Sequence, residues 1–295
     1  MMRVLILGCG YVGMALGRLL VSQGHEVDGV RRSATDAESL RALGIRPLVW
    51  DVTDPTTFPE VGAGWHWVVN ALSSRGGGPE GYERLYYQGT RHVVEWLAAR
   101  KPVQYVHLSS TSVYGQTDGS EVDERSPAEP VNGTSQVLVR AEQYLLEAAK
   151  TKGWPVLILR SAGIYGPERG HLFQQFLAGE AHLTGEGDRW LNMVHRDDLA
   201  GAVLAALRSS LTGEIVNVAD DQPVTELEFF QWLAGKLGRP LPPRIEPSQK
   251  VRKRGATNKR VSNQRLKQEL GYRLLYPTYR EGYEAELVRM GKLPR

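Results

Sequence analysis

The stretch GCGYVG (8–13) decides the fold of this chain. It sets Gly8, Gly10 and Gly13 in the spacing G-x-G-x-x-G, after the apolar run RVLILG (3–8) and at the start of a helical pattern. A glycine turn between a strand and a helix is a sequence signature of dinucleotide binding. The first glycine permits the tight turn, the second lets the backbone approach a pyrophosphate, and the third lets helix and strand pack closely. We therefore expect a phosphate-binding turn at the start of the first helix.

The end of the second strand usually determines which dinucleotide such a site accepts. An acidic residue there binds a ribose 2′-hydroxyl, whereas an arginine accommodates a 2′-phosphate. This chain has Arg31 and Arg32 at that position, and the nearest acid, Asp28, lies inside the strand pattern EVDGVR (26–31). Two guanidinium groups suit a phosphate and offer no acceptor to a hydroxyl. The sequence therefore predicts NADP as the cofactor, with NAD as the alternative.

Further cofactor contacts are expected at the start of the first helix and around the ends of the strands. Asp51, in WDVTD (50–54), can bind the adenine through its carboxylate while Val52 packs on the ring; an ordinary turn aspartate is the alternative. Beyond the glycines and arginines, the predicted cofactor contacts are Tyr11, Val12, Asp51, Val52, Ala71, Leu72 and Ser109.

Outward from the glycine turn, short apolar runs alternate with longer helical patterns through the first two-thirds of the chain. Near-continuous apolar runs suit parallel strands buried on both faces, and their alternation with helices implies right-handed crossovers. We predict an α/β fold, a Rossmann-type doubly wound parallel sheet with a smaller C-terminal substrate lobe. The predicted Rossmann domain covers 1–165, with 192–219 returning to it, and the lobe covers 166–191 and 220–295. The predicted strands are RVLILG (3–8), EVDGVR (26–31), WHWVVNAL (65–72), VQYVHLSS (103–110), PVLILRSA (155–162) and EIVNVA (214–219).

Composition argues against several other classes of protein. The formal net charge is only +3 over 295 residues, which gives no reason to expect a nucleic-acid or membrane partner. No apolar run approaches the roughly 20 residues that span a bilayer. The single cysteine and the spacing of the seven histidines predict neither a disulfide nor a metal site. We expect a cytoplasmic monomer or homodimer that acts on a small molecule.

One basic segment, KVRKRGATNKR (250–260), stands out from this balanced composition. It lacks interleaved aromatic residues and lies beside prolines, so a solvated loop is favoured over a nucleic-acid patch. Binding of a substrate phosphate is a further alternative.

Several segments together resemble the extended short-chain dehydrogenase/reductase family, which includes the NAD-dependent epimerases and dehydratases. They occur in that family's order over about residues 3 to 230, although G-x-G-x-x-G replaces the usual G-x-x-G-x-x-G, as in an atypical member. The resemblance implies a dinucleotide in the sheet domain and a substrate, often a nucleotide-sugar, against the C-terminal lobe. The matching segments are GCGYVG, DVTD, VHLSSTSVYG, LRSAGIYGP, NMVHRDDLA and EIVNVADDQPVT.

The resemblance also implies a catalytic group. Ser110 stands where the family has its catalytic Ser or Thr, and a Tyr-x-x-x-Lys pair is expected on the following helix. Such a tyrosine transfers the substrate proton, the lysine lowers its pKa, and the serine steadies the substrate oxygen. If Glu142 is the glutamate that commonly follows the tyrosine by eight residues, Thr134 falls at the tyrosine position and Leu138 at the lysine position. We therefore expect a mechanism without that pair, in which Leu138 is a packing residue.

Other aromatic and polar residues are candidates for catalysis or substrate contact. Tyr86 replaces an asparagine that the family often carries, and it would supply a phenol from another element; aromatic packing is the alternative. The resemblance places Tyr114, Tyr165 and Asn192 at substrate-binding positions.

The segment VHRDDLA (194–200) offers two more titratable side chains. His195 titrates in the range needed for proton transfer, but a structural or substrate-contacting role is favoured. Asp198 is expected to cap a helix.

Two functions fit these patterns. The first is an NADP-binding oxidoreductase or epimerase-like enzyme that acts on a carbonyl or sugar-nucleotide substrate by a non-standard mechanism, and the substrate-lobe motifs support it. The alternative is a non-catalytic NADP(H)-binding sensor or regulatory protein, which the missing pair and the intact glycine turn favour.

Overall fold

The computed structural model of the protein describes residues 1–62, 64–74, 76–245 and 257–293. Its α-helices are α1 Tyr11–Ser22, α2 Ala34–Arg41, α3 Gly78–Tyr82, α4 Gly89–Trp96, α5 Gly133–Lys152, α6 His171–Ala178, α7 Arg196–Arg208, α8 Glu226–Leu237, α9 Gln264–Gln268 and α10 Tyr279–Arg289. A π-helical turn, Glu83–Gln88, joins α3 to α4, and short 3₁₀ turns cover Pro55–Thr57, Ala98–Arg100 and Thr111–Val113.

Seven strands form one parallel sheet, and the others form short two-stranded pairs. The strands are β1 Arg3–Leu7, β2 Glu26–Arg31, β3 Arg46–Val49, β4 Trp67–Asn70, β5 Gln104–Ser110, β6 Glu121–Val122, β7 Val156–Ser161, β8 Gly163–Tyr165, β9 Leu183–Thr184, β10 Trp190–Leu191, β11 Met193–His195, β12 Glu214–Val218, β13 Val224–Thr225, β14 Arg244–Ile245 and β15 Arg260–Val261. The sheet runs in the order β12-β7-β5-β4-β1-β2-β3. The predicted Rossmann-type α/β sheet is therefore confirmed.

The apolar strands are buried because helices cover both faces of the sheet. In β1, Val4 and Ile6 pack in the cluster that contains residues of α1 and α7, whereas Leu5 and Leu7 pack in the cluster that contains residues of α4 and α5. This alternation follows from the two-residue period of a strand. Because both faces of these strands are buried, the strands appear in the sequence as near-continuous apolar runs rather than alternating ones.

The last third of the chain contributes both to the sheet and to a separate apolar cluster. Strand β12 pairs in parallel with β7, from Glu214 beside Leu157 to Val218 beside Ser161. Side chains of α6, α8 and α10 form a third cluster with Tyr165. The division of the chain into two domains stays a prediction.

Strand β1 lies between β2 and β4, where the order of the sheet reverses direction. In open α/β sheets, ligands bind in the crevice outside the carboxyl ends of the strands at such a point. The glycine turn follows β1 there. No helix in the described ranges is long and apolar enough to cross a bilayer.

Candidate functional site

The glycine turn packs directly against the segment that follows β4. Gly8 has a φ of +73°, and a β-carbon on it would lie 2.8 Å from Leu72 Cα and 2.9 Å from the Ala71 carbonyl oxygen. A β-carbon on Gly13 would lie 3.1 Å from the Gly8 carbonyl oxygen. Only glycine fits at residue 8 without strain. Ala71 and Leu72 therefore adjoin the turn, as their predicted role in cofactor binding requires.

Tyr11 links the glycine turn to the loop after β8. Its hydroxyl donates a hydrogen bond of 2.9 Å to the Pro167 carbonyl oxygen. The guanidinium carbons of Arg169 and Arg196 lie 4.6 and 5.1 Å from the centre of its ring. Val12 follows Tyr11 in the first turn of α1 and is buried. The cofactor contacts predicted for both residues stay predictions, while the Tyr11 side chain also has a structural role.

The charge of Asp28, inside strand β2, is compensated within the protein. Asp28 is buried and accepts hydrogen bonds from Arg46, Arg3 and Trp65, with an Arg46 Nε–Oδ1 distance of 2.6 Å. It is therefore committed within the protein and unavailable to a ribose hydroxyl. This agrees with its position inside the strand rather than at the tip.

Arg31 is the last residue of β2 and Arg32 follows it, next to the part of β2 that bonds to Cys9 of the glycine turn. Arg31 Nη2 lies 3.3 Å from Met14 Sδ on α1, and its Nε is buried without a hydrogen-bond partner. Arg32 is exposed to solvent. A buried guanidinium nitrogen without a partner is costly and suits an anionic ligand oxygen.

The side chains of Asp51 and Val52 both make contacts within the protein. Asp51 Oδ1 accepts hydrogen bonds of 2.9 Å from both the main-chain N–H and the hydroxyl of Thr53, which is the behaviour of an ordinary turn aspartate. Val52 is 3% exposed, and a β-carbon on Gly89 would lie 3.0 Å from its Cγ2. The Val52 side chain thus packs in the core and offers no open face to an adenine ring.

A buried polar network ties β5, α5, β7 and β12 together. Ser109 donates its hydroxyl hydrogen bond to Glu142, whose other oxygen is paired with Arg160 at 2.6 Å. Arg160 Nη1 also donates to the Tyr114 hydroxyl, which donates in turn to Asn217 Oδ1; both distances are 2.9 Å. Ser109 was predicted to bind the cofactor and Tyr114 the substrate. Their side chains instead satisfy this internal network, and the Tyr114 ring is completely buried.

Ser110 ends β5 and Thr134 lies in the first turn of α5, and both side chains make local hydrogen bonds. Ser110 Oγ accepts a hydrogen bond of 3.1 Å from the Ser112 N–H, and Ser135 Oγ donates to Ser112 Oγ at 2.9 Å. Thr134 Oγ1 donates to Asn132 Oδ1 at 2.8 Å, and Asn132 caps α5. Thr134 therefore stabilises the helix start, where it is placed by the Asn-Gly-Thr sequence.

Leu138 lies one helical turn further along α5. It is 6% exposed and belongs to the apolar cluster of the sheet. Its predicted role in packing is confirmed.

Tyr86 lies in the π-helical turn between α3 and α4, a feature frequent at functional sites. Its hydroxyl accepts a hydrogen bond of 2.8 Å from the Ser74 N–H, and its ring centre lies 4.7 Å from that of Tyr82. Burial raises the pKa of Tyr86 to about 12, so the phenol stays protonated near neutrality. Ser74 is two residues beyond Leu72, which touches the glycine turn. Tyr86 thus contacts the segment that follows Leu72 and keeps its phenolic proton near neutrality.

His195, rather than Asp198, caps α7. His195 Nδ1 accepts the N–H hydrogen bond of Asp197 at 3.2 Å and so caps α7 itself. Burial lowers the pKa of His195 to about 4, which leaves it neutral. Asp198 does not cap the helix; it accepts hydrogen bonds from the main-chain N–H groups of Leu275 and Tyr276 at 2.6 and 3.0 Å. The expected substrate contact of His195 has no support in a ring that is 2% exposed.

Tyr165 and Asn192 are also held inside the protein. Tyr165 is buried, its ring stacks on Tyr283 at 4.3 Å, and burial raises the pKa of its hydroxyl. Asn192 Nδ2 donates to the Lys259 carbonyl oxygen at 2.9 Å, and its Oδ1 accepts the Val261 N–H at 2.7 Å. Both side chains position the C-terminal segments, so the substrate contacts predicted for them are not supported. Within the described ranges, no group of three or more His, Cys, Asp or Glu side chains is arranged to hold a metal ion.

Comparison with known proteins places this geometry in a family. The model of the NAD dependent epimerase/dehydratase family matches residues 4–219. The chain belongs to the NAD-dependent epimerase/dehydratase family.

Two full-length relatives and one solved structure show how far the similarity extends. Protein YeeZ from Escherichia coli K12 is 30% identical over 285 residues, covering 94% of this chain and 97% of YeeZ. The 3-diazoavenalumate denitrifying reductase from a Streptomyces species is 28% identical over 316 residues, covering 97% of this chain and 100% of the reductase. The structure of a functionally unknown conserved protein from Silicibacter pomeroyi superposes with a TM-score of 0.82 at 31% identity, covering 98% and 99% of the two chains.

In this member of the epimerase/dehydratase family, three residues near the strand ends escaped the sequence analysis. Ser112 donates its N–H to Ser110 Oγ, Ser135 donates its hydroxyl to Ser112 Oγ, and Lys259 donates to the Tyr114 carbonyl oxygen at 3.0 Å. The serines are common helix-start residues and gave no separate signal. Lys259 was part of the basic segment 250–260, most of which (250–256) lies outside the described residues.

Proposed function

We propose that the protein is an NADP-dependent oxidoreductase or epimerase-like enzyme that acts on a carbonyl or sugar-nucleotide substrate. Membership of the epimerase/dehydratase family supports the general class. A relative over the whole chain that is named a reductase supports a redox reaction. The glycine turn next to Ala71 and Leu72 supports dinucleotide binding at the point where the sheet order reverses.

The single observation that carries the choice of NADP is the Arg31 side chain. It lies at the end of β2, its Nε is buried without a hydrogen-bond partner, and the nearby Asp28 is fully engaged elsewhere. A 2′-phosphate would supply the missing acceptor, with the exposed Arg32 as a second cation. A ribose 2′-hydroxyl would not find a free carboxylate at Asp28, which is engaged by Arg46, Arg3 and Trp65. The residues present therefore fit NADP better than NAD.

The proposed chemistry relies on Ser110 and Tyr86 rather than on a Tyr/Lys pair. The bound cofactor supplies the hydride. Ser110 Oγ, anchored by the Ser112 N–H, would donate a hydrogen bond to the substrate oxygen. Tyr86 would donate the proton, because its pKa of about 12 keeps the phenol protonated and the Ser74 N–H fixes its oxygen.

Turnover tests this proposal. The protein is mixed with NADPH and a panel of aldehydes, ketones and sugar nucleotides, and the absorbance of the reduced cofactor is followed. We expect substrate-dependent NADPH oxidation that Ser110→Ala reduces by about 10² or more while NADPH binding is retained. Substrate-dependent turnover that is unchanged in Ser110→Ala would reject the role of Ser110.

A non-catalytic NADP(H) sensor is the second candidate. The observation that favours it is Thr134, which lies at the position that the family resemblance assigns to the tyrosine and is engaged with Asn132. A threonine hydroxyl has no pKa near neutrality and does not replace a phenolate. Tight NADPH binding without oxidation across the whole panel would select the sensor over the enzyme.

A further inference from the structure

Helices α1 and α7 run side by side on one face of the sheet, and a groove lies along them. Where the two helices start, the Arg196 guanidinium carbon lies 5.1 Å from the centre of the Tyr11 ring. Where they end, Arg208 Nη2 donates a hydrogen bond to Gln23 Oε1. The two helices are therefore parallel. The α1/α7 groove has a volume of about 1180 Å³, and residues 269–275 complete its lining.

The lining of the α1/α7 groove is mainly apolar. Positions 15, 18, 19 and 22 of α1 follow the spacing of one helical face, as do positions 197, 200, 201, 204, 205 and 208 of α7. Leu275 is 66% exposed, so part of this apolar surface is open to water. A concave apolar surface with few polar groups is typical of a site for a small ligand. Its apolar residues include Ala15, Leu19, Ala200, Leu204, Leu270 and Leu275.

The two acidic side chains of the groove are neutralised within the protein. Asp197 Oδ1 accepts a hydrogen bond of 2.8 Å from Arg196 Nε. Glu269 accepts two hydrogen bonds of 2.6 Å from the Arg265 guanidinium group. Neither carboxylate therefore adds uncompensated negative charge to the groove.

Two arginines of the lining have no anionic partner. In the part of the chain that the structure describes, no carboxylate pairs with Arg18, which is exposed, or with Arg208, which donates to the neutral amide of Gln23. Both arginines lie in the second half of their helices. The unpaired positive charge is thus confined to one part of an otherwise apolar groove. Such a surface complements a molecule that has one anionic end and an apolar remainder.

This part of the groove lies away from the cofactor crevice. Strand β2 runs parallel to β1, so α1 must return the chain from the carboxyl edge of the sheet, which carries the glycine turn, to the amino edge. Helix α7 likewise leads to the start of β12, which is parallel to β7. Arg18 and Arg208, in the second halves of these helices, therefore lie towards the amino edge. Neither the glycine turn nor Ser110 lines the groove.

We propose that the α1/α7 groove binds a free long-chain carboxylate, with its alkyl chain along the apolar residues and its carboxylate at Arg18 and Arg208. Helices of partner proteins also fill apolar grooves, but a groove with unpaired charge in one part only favours a ligand with a single charged end. The inference goes beyond the proposed function and does not depend on it, because the groove is built without residues of the cofactor turn.

Calorimetric titration of the protein with octanoate, decanoate and decan-1-ol tests the inference. Decanoate should bind at least about fivefold more tightly than octanoate, because two more methylene groups leave water. It should also bind at least about fivefold more tightly than decan-1-ol, and added salt should reduce this difference because it screens the arginines. Absence of decanoate binding, or equal affinities within either pair of ligands, would overturn the inference.

Variants in the groove locate the binding site. Ala205→Trp fills the groove and should weaken decanoate and decan-1-ol alike, by about tenfold or more. The double variant Arg18→Met/Arg208→Met should bring the decanoate affinity down to that of decan-1-ol. Arg91→Met removes an exposed arginine on the other face of the sheet and should change neither affinity. A preference for decanoate that survives in the double variant rejects the site; if Ala205→Trp does not fold, the arginine variants still decide.

NADPH separates this site from the cofactor crevice. Decanoate should bind the NADPH-loaded protein with the affinity that it has for the free protein, because the two ligands occupy different places. Competition between decanoate and NADPH would put the carboxylate in the cofactor site and overturn the inference. Failure of NADPH to bind, with decanoate binding intact, would count against the proposed function alone.

Discussion

Arg160 holds Glu142 through an ion pair of 2.6 Å between Nη2 and Oε2, with both side chains buried between β7 and α5. Ser109 and Tyr114 complete the hydrogen bonding of the two groups. This pair fixes the helix whose first turn carries Thr134 to the strand that ends beside Ser110. The relative positions of Ser110 and Thr134 therefore depend on a buried charge pair.

Breaking this pair should destabilise the fold. Glu142→Gln leaves the Arg160 charge buried without compensation, so we expect the free energy of unfolding to fall by about 3–5 kcal/mol in urea. The exposed pair of Glu83 and Arg140 offers a matched control, and Glu83→Gln should cost no more than about 1 kcal/mol. Equal losses in the two variants would show that burial does not govern the contribution of the pair.

Substitutions at two glycines of the turn separate its effect on stability from its effect on cofactor binding. Gly8→Ala should lower the free energy of unfolding by more than about 1 kcal/mol, because its φ is +73° and the new β-carbon would meet Leu72. Gly10→Ala should cost less stability than Gly8→Ala, since its φ is negative, at −94°, and a β-carbon meets only the Gly8 carbonyl oxygen at 3.8 Å. It should nevertheless weaken NADPH binding by obstructing the pyrophosphate. Normal NADPH affinity in Gly10→Ala would place the phosphates elsewhere.

His107 should make stability depend on pH. Burial lowers its pKa from 6.5 to about 4, and neither ring nitrogen has a hydrogen-bond partner in the described part of the chain. Between these values the unfolded chain binds a proton that the folded protein does not, so stability is lost as the pH falls from 6.5 towards 4. The slope from this group is about 1.4 kcal/mol per pH unit.

Urea unfolding at several pH values measures that slope. His107→Leu should reduce the slope by the contribution of one proton, about 1.4 kcal/mol per pH unit. His182→Asn changes an exposed histidine and should leave the slope as in the parent. The His195 contribution has the same sign and stays in both variants. An unaltered slope in His107→Leu would mean that His107 is protonated alike in the folded and unfolded states.

Tyr86 is the proton donor of the proposed mechanism, whereas Thr134 only holds the position that the family resemblance assigns to the tyrosine. Tyr86→Phe removes the phenol but keeps the ring contact with Tyr82, so it should lower kcat by about 10² while NADPH still binds. Thr134→Val removes a hydroxyl that is bonded to Asn132 and should change kcat little. The reverse result in NADPH oxidation assays would transfer the role to the start of α5.

The sheet and the glycine turn could be read from the sequence because both depend on local patterns. The apolar runs identified strands β1, β2, β4, β5, β7 and β12, and the G-x-G-x-x-G spacing located the turn. The roles of Tyr114 and Asp198 could not be read, because their partners are distant in the chain. Tyr114 bonds to Asn217, 103 residues away, and Asp198 to Leu275, 77 residues away. Motif positions indicated where these residues lie, but only the fold shows that their polar groups are already satisfied.

The burial of Lys259 also could not be predicted from the sequence. Within the basic segment 250–260 it looked like one solvated cation among several, and a solvated loop was the favoured interpretation. Its contact with the Tyr114 carbonyl spans 145 residues. Whether a single lysine is buried depends on the tertiary structure, which the pattern of charges along the sequence does not show.

The central claim, an NADP site that Arg31 recognises through a 2′-phosphate, is tested most directly by equilibrium titration of NADPH and NADH. The parent should bind NADPH more tightly than NADH, and Arg31→Asp should weaken NADPH at least about tenfold while NADH changes little. Arg91→Asp makes the same charge change on the exposed face of α4 and should leave both affinities unchanged. Equal binding of the two cofactors by the parent, or parental NADPH affinity in Arg31→Asp, would contradict the account.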